Sequence, residues 1–448
     1  MFWGKKLFLI GIGAVLVCGF VDVAFAKKVR VEIIRDAEGV PVKCADDPVV
    51  CHNRWVPGDG DDPIPPVAFA DPGDTVIFET RDAFDNQFNR DSEPADVGTA
   101  NLNLVHPLTG PVFINGAEPG DVLAVTIVSV VPGPDRFGYT VAVPGFGFLR
   151  DLFIDPFIVR WEFQKKGKRG QFFATSADLP GVRIPGNGFP GTIGVALSRE
   201  KTMEILARED QLAASGGFVL PPTPADAAPD VLCGPGGPLE ADRLCLRTIP
   251  PRENGGNMDV KQMIAGTTLL FPCFVDGCLL STGDVHFAQG DGEVAGTAIE
   301  MNAIVTVKVD VRKGIGALVR RPEIEGKDRP NLLKKLAPKR FLATTGIPIK
   351  GAGEFNPQLD YLNSPLVTSL SNLSEDVTLA ARDALINMID LLTGPRSPAP
   401  VPLTDVQAYI LCSAAVDLRI SQLVDVPNFV VTAILPLDVF RPAKGKKH

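Results

Sequence analysis

The sequence predicts a mainly β protein, α+β overall: a sandwich- or barrel-like body of many short strands with helices near the C-terminus. Three observations carry this. Apolar runs are short and rich in β-branched residues, abundant Gly (44) and Pro (40) interrupt them, and helical apolar spacing emerges only late in the chain. With 448 residues, 45% hydrophobic and 22% charged, the chain can fill one large core or two smaller ones.

Residues 1–26 read as a secretory signal peptide. Lys5 and Lys6 precede an apolar run from Leu7 to Val21, and Ala24-Phe25-Ala26 forms an A-x-A cleavage site. The run is short for a spanning helix and Asp22 interrupts it. Cys18 follows Val17 rather than a small residue, which argues against a lipoprotein. A mature chain beginning at Lys27, periplasmic or secreted and free of the membrane, is expected. Cleavage moves the formal net charge from -9 to -10. An acidic chain without a basic stripe argues against nucleic acid as a partner.

The β-rich catalytic body is expected over residues 27–320. "KVRVEII", "DTVIFET", "DVLAVTIVSVV", "GYTVAV", "TTLLFPCFV" and "NAIVTVKVDV" read as strands, separated by Gly, Pro and Asp clusters. "DPGD" at Asp71–Asp74 and "EPGD" at Glu118–Asp121 each precede one. Residues 214–251 form a loop-rich insertion, because "PPTPADAAPD" and "CGPGGP" sustain neither a helix nor a central strand. Residues 321–448 form a C-terminal α+β segment packed on the body. There Asn372 with Glu375 opens a helix carrying Leu385, Met388, Ile389 and Leu392, which Gly394-Pro395 stops. Thr404 with Gln407 caps another.

Export makes the cysteines readable. Cys44–Cys51 and Cys233–Cys245 bracket short loops and are expected to be disulfides; Cys273 and Cys278 could meet across a hairpin. Cys412 lies in an apolar helical pattern and reads as a buried thiol.

Polar chemistry concentrates in "LLSTGDVHFAQGDGE", Leu279–Glu293. Asp284 and His286 share a face if the run is extended, and a turn through Ala288–Gly290 would add Asp291 and Glu293. One imidazole with several carboxylates suits zinc, or a site for a harder cation. The same residues also suit an acidic turn. "PPRENGGNMD" offers Glu253, Asn254, Asn257 and Asp259, and "VHPLTGPVFINGAEPGD" offers His106 and Glu118. No G-x-S-x-G elbow or phosphate loop is present in the sequence, and Cys273 and Cys278 lie in apolar sequence without a nearby histidine, which disfavours a cysteine nucleophile.

These stretches together resemble the acetamidase/formamidase family. The similarity runs through "HNRW", "DPGDTVIFETRDAFDNQ", "HPLTGPVFINGAEPGDVLAV", "PGFGFL", "PPRENGGNMDVKQMIAGTTLLFP", "LLSTGDVHFAQGDGEVAGTAIE", "FLATTGI" and "AYILCSAAVDLRISQLVDVPN". It implies a β-rich homo-oligomer that hydrolyses small amides with a divalent metal, zinc first and calcium as the alternative. It implies a metal site at Asp284, His286, Asp291 and Glu293, and catalytic residues among His106, Glu118, Glu253, Asn254 and Asp259. Glu118 or Glu253 would act as general base, and Asn254 or the "GGN" backbone would steady the oxyanion. The export signal and the Cys233–Cys245 loop depart from the family pattern. An exported calcium- or carbohydrate-binding β module, or a hydrolase of a larger amide, stands as the alternative reading.

Overall fold

The computed structural model describes residues 1, 26–37, 39–166, 171–215, 220–326, 332–348, 377–424 and 429–440. Residues 2–25 of the expected signal peptide and the expected helix-opening pair Asn372 and Glu375 lie outside them.

The architecture is mainly β and α+β. One sheet of six strands runs in the order Lys28–Val31, Thr75–Thr80, Ala303–Arg312, Val122–Pro132, Thr268–Pro272 and Glu323–Glu325. Two of its strands alternate as half-buried strands should. Val76, Phe78 and Thr80 are buried in one, and Ala303, Val305, Val307 and Val309 in another. Both "PGD" motifs are turns that launch strands of this sheet: Asp74 accepts from the Asp71 amide, and Asp121 accepts from the Glu118 amide at 2.9 Å.

The second sheet has eleven strands and carries the polar run. Its main path is Arg183–Pro185, Gln171–Thr175, Phe157–Lys166, Phe137–Ala142, Glu300–Met301, Leu280–His286, Phe189–Val195 and Gly255–Asn257. Leu280–His286 sits centrally. Phe189–Val195 covers one edge, while Leu108–Ile114 and Glu300–Met301 share the other. All seven of its residues are buried, so its polar side chains must find partners inside the protein. Both large sheets are open ladders, so the sandwich-like expectation fits and the barrel-like one does not.

A third sheet, of strands Phe341–Gly346, Val430–Pro436 and Asp417–Gln422, packs against helix Val377–Thr393. Leu385, Met388, Ile389 and Leu392 of that helix are buried, as their spacing predicts. Helix Asp405–Ala415 has the Thr404–Gln407 capping box. Val285, Val305, Leu385 and Tyr409 belong to one continuous core. Helix Arg199–Ala214 was not expected within the β body. It is built from good helix formers, and Ser198 caps it by accepting from the Lys201 amide.

Cys44–Cys51, Cys233–Cys245 and Cys273–Cys278 are disulfide-paired, and Cys412 is a buried free thiol.

Candidate functional site

Strand register assembles the site. His286 lies opposite Glu300 on one side and opposite Phe189 on the other. His286 Nε2 is 3.3 Å from Asp284 Oδ1, 3.4 Å from Glu300 Oε2, and 3.8 Å from both Asp259 Oδ1 and Glu293 Oε1. One imidazole therefore faces four carboxylates.

Gln289 fixes the tautomer of that imidazole. Its Nε2 donates to the Asp259 carbonyl at 2.7 Å, which turns Oε1 toward His286 Nδ1 at 2.8 Å. Nδ1 then carries the hydrogen and Nε2 points a lone pair at the carboxylates unless it too is protonated. Gly191 makes room: a Cβ there would lie 2.7 Å from His286 Nε2 and 2.8 Å from Asp259 Oδ1.

Three of the four acids have left-handed backbones, Asp259 (φ 51°), Asp284 (φ 49°) and Glu293 (φ 42°). Non-glycine residues are held there only against a steric cost, and such strain gathers at functional sites.

The electrostatics are unbalanced. Burial pushes the Asp259 carboxyl up to about 6, against the pull of His286. Burial also raises Glu293 and Glu300 well above the usual carboxylate range. Asp284 moves the other way: burial opposes its charge, but His106, His286 and Thr192 outweigh it. Burial works against a charged His286, yet Glu300, Asp284 and Glu293 hold it well above the ordinary histidine range. Asp259 Oδ1 and Glu300 Oε2 are buried without a hydrogen-bond partner.

His106 completes the polar wall. Its Nδ1 is 3.5 Å from Thr192 Oγ1 and 3.7 Å from Asp284 Oδ2. Burial lowers its pKa against the pull of Asp284, which favours the neutral ring. Thr192 Oγ1 lies 2.9 Å from Asp284 Oδ2 and 3.0 Å from Asn257 Oδ1. A cavity of about 90 Å³ opens beside these groups, with Phe84, Val105, Phe146 and Ile249 opposite. A larger cavity of about 630 Å³ lies beyond Gln289 and is lined by Arg183, Lys339 and Arg340, but by none of the five clustered groups.

The structure thus brings together His106, Asp259, Asp284, His286 and Glu293, and leaves the other sequence candidates elsewhere. Glu118 is exposed in its turn and pairs with Lys313 at 3.1 Å. Glu253 pairs with Arg208 at 2.8 Å, whose hydrogen bonds hold it at about 2, too acidic for a base near neutrality. Asn254 donates from Nδ2 to the Val195 carbonyl, which ties it to the neighbouring strand. Asp291 lies 3.5 Å from Gln262 and 4.0 Å from Lys261, because the turn at Gly292 (φ 106°) sends it and Glu293 to different sides. Glu300, Thr192 and Gly191 were missed. Glu300 stands in "GTAIE" with no polar neighbour to mark it, and Thr192 and Gly191 enter only through strand pairing.

A serine–histidine pair is also present. His52 Nε2 is 2.9 Å from Ser281 Oγ, and Nδ1 is 2.8 Å from the Arg54 carbonyl. Both side chains are at most 2% exposed, so the pair braces the sheet rather than meeting a substrate.

Residues 39–442 match the family model described as the Acetamidase/Formamidase family. An acetamidase of Mycolicibacterium smegmatis is 37% identical over 288 residues, which are 60% of this chain and 68% of that one. A formamidase of Methylophilus methylotrophus is 31% identical over 401 residues, 87% of this chain and 89% of that one. Among solved structures, a gamma lactamase from Delftia acidovorans superposes with a TM-score of 0.75 at 31% identity, covering 94% of this chain and 95% of its own.

Proposed function

Because the chain belongs to the acetamidase/formamidase family, we propose that it is an amidase that hydrolyses small, uncharged linear amides, of acetamide or formamide size, to a carboxylate and ammonia. The observation that carries this reading is the small two-sided cavity. Its volume of about 90 Å³ equals that of roughly three water molecules in the liquid. One side is apolar and suits a short acyl group. The other holds an imidazole, an amide and carboxylates.

A divalent cation belongs to this reading, and the residues present fit one. The candidate ligand atoms of Asp259, Asp284 and His286 lie within 4.8 Å of one another, as do those of His286, Glu293 and Glu300. Two of the carboxylate oxygens lack any hydrogen bond, and four acids crowd one buried imidazole. The nitrogen ligand favours zinc over calcium, which takes oxygen. Such an ion supplies Lewis acidity, polarising a carbonyl and acidifying water.

The side chains do the rest. The apolar wall takes the acyl group and excludes bulk water. Asn257, whose Oδ1 faces Thr192, keeps Nδ2 to donate to the substrate carbonyl. His106, on the cavity wall and favoured by burial in its neutral form, takes the proton from attacking water and returns it to the leaving nitrogen. The C–N bond breaks, and the water oxygen remains in the carboxylate.

Export forms part of the same reading, supported by three disulfides that suit an oxidising compartment. So does a homo-oligomer, which the family resemblance implies and sedimentation would measure. Ammonia release over formamide, acetamide and longer amides, beside esters of matching size, tests the activity. Release from the shortest amides is expected. Turnover of esters alone, or of no amide, contradicts the proposal.

A further inference from the structure

The mouth of the small cavity is made by side chains unlike those of its floor. Phe84 and Val105 are buried, whereas Leu102, Val143, Phe146 and Ile249 are half-buried. These four come from three separate stretches of chain and form a hydrocarbon rim opposite the acids. We propose that this rim is the acyl-chain selector, and that Ile249 and Val143 are specificity-determining residues that hold the substrate class to unbranched amides of one or two carbons. The inference rests on the amidase reading above.

The rim is built to hold its shape. Phe146 stands between Gly145 (φ 82°) and Gly147 (φ 86°), and a Cβ on Gly147 would lie 2.7 Å from the Tyr409 hydroxyl. Downstream, the Phe148 amide donates to the Val294 carbonyl at 2.7 Å and the Leu149 amide donates to the Tyr409 hydroxyl at 2.9 Å. Across the mouth, Ile249 follows Thr248, whose hydroxyl accepts from the His106 amide at 2.6 Å and donates to the His106 carbonyl at 3.1 Å. Arg247 Nη1 donates to the Leu102 carbonyl at 3.3 Å and Nη2 to Asn103 Oδ1 at 2.7 Å. The segment just after the Cys233–Cys245 disulfide therefore supplies one rim residue, anchors a second and seats the proton-handling histidine. Rim and chemistry are in fixed register, so a longer acyl group cannot be admitted without displacing carbon already there.

The geometry makes selectivity a matter of rim volume. Removing methylenes opens the mouth, and adding them closes it. Burying one methylene more or less in such a pocket changes discrimination by about 10–200-fold.

The test is a competition within each preparation, so that the folded fraction cancels. For Ile249→Ala, the ratio of kcat/KM for butyramide to that for acetamide should rise by about tenfold or more. For Val143→Phe, the ratio for acetamide to that for formamide should fall by a similar factor. If Ile249→Ala yields no folded protein, Val143→Phe and Ile249→Val decide alone. Ratios that stay within about threefold of the parent in the folded variants overturn the rim assignment while leaving the amidase standing. A parent protein that turns over no amide overturns the amidase reading instead.

Discussion

Glu300 lies directly opposite His286 in the register of two adjacent antiparallel strands, with its Oε2 3.4 Å from His286 Nε2. Its other oxygen accepts from the Ala298 amide at 2.7 Å, while Oε2 is buried without a hydrogen-bond partner. A carboxylate held in this way is aimed at the same point as the imidazole. Glu300→Gln keeps the shape and removes the charge. Affinity for zinc should fall by roughly tenfold or more, because an anionic ligand is lost. Titration calorimetry on metal-stripped protein measures it, and unchanged affinity would remove Glu300 from the site.

His286→Ala should lower metal occupancy, and turnover should fall by about two orders of magnitude or more. A purely structural histidine would instead cost on the order of 1–3 kcal/mol of stability and leave metal content alone. Metal analysis, melting temperature and turnover on the one variant separate the outcomes.

Gly191→Ala removes no chemical group. Its Cβ would meet His286 Nε2 at 2.7 Å and Asp259 Oδ1 at 2.8 Å, and neither can retreat from a buried cluster without moving the others. Turnover should fall about a hundredfold through misplacement, with a stability cost of about 1–3 kcal/mol from overpacking. Parent-like kinetics would show that the cluster is slack.

His52 gives a pH signature remote from the reaction. Burial lowers its pKa from 6.5 to about 4, opposed only in part by its hydrogen bond to the Arg54 carbonyl. The unfolded chain binds the proton more tightly, so stability is full above pH 6.5 and is lost as pH falls toward 4. The slope from this group approaches about 1.4 kcal/mol per pH unit. Denaturant titrations across that window should give a shallower slope for His52→Asn than for the parent.

Local interactions leave a trace in the sequence, and contacts between distant segments do not. The strands could be read because Ala303–Arg312 and Thr75–Thr80 alternate strictly, and the late helices because their apolar spacing and the Thr404 cap are local signals. Asp284 and His286 could be paired because residues two apart share a strand face. Asp291 misled for the same reason: a period of two was extended across a glycine turn that breaks it. Glu253 looked available until helix Arg199–Ala214, also missed, brought Arg208 to it. Glu300 and Gly191 belong to the cluster only through pairing between strands, which no local pattern encodes.

The proposed amidase chemistry requires that the cluster around His286 hold a divalent cation on which amide hydrolysis depends. The most direct measurement is ammonia release from acetamide and formamide by one preparation as purified, after exhaustive chelation, and after zinc is returned, with bound metal counted at each stage. Turnover should fall by about a hundredfold or more on chelation and recover in proportion to the metal restored. Undiminished turnover by protein shown to be free of metal would contradict that requirement.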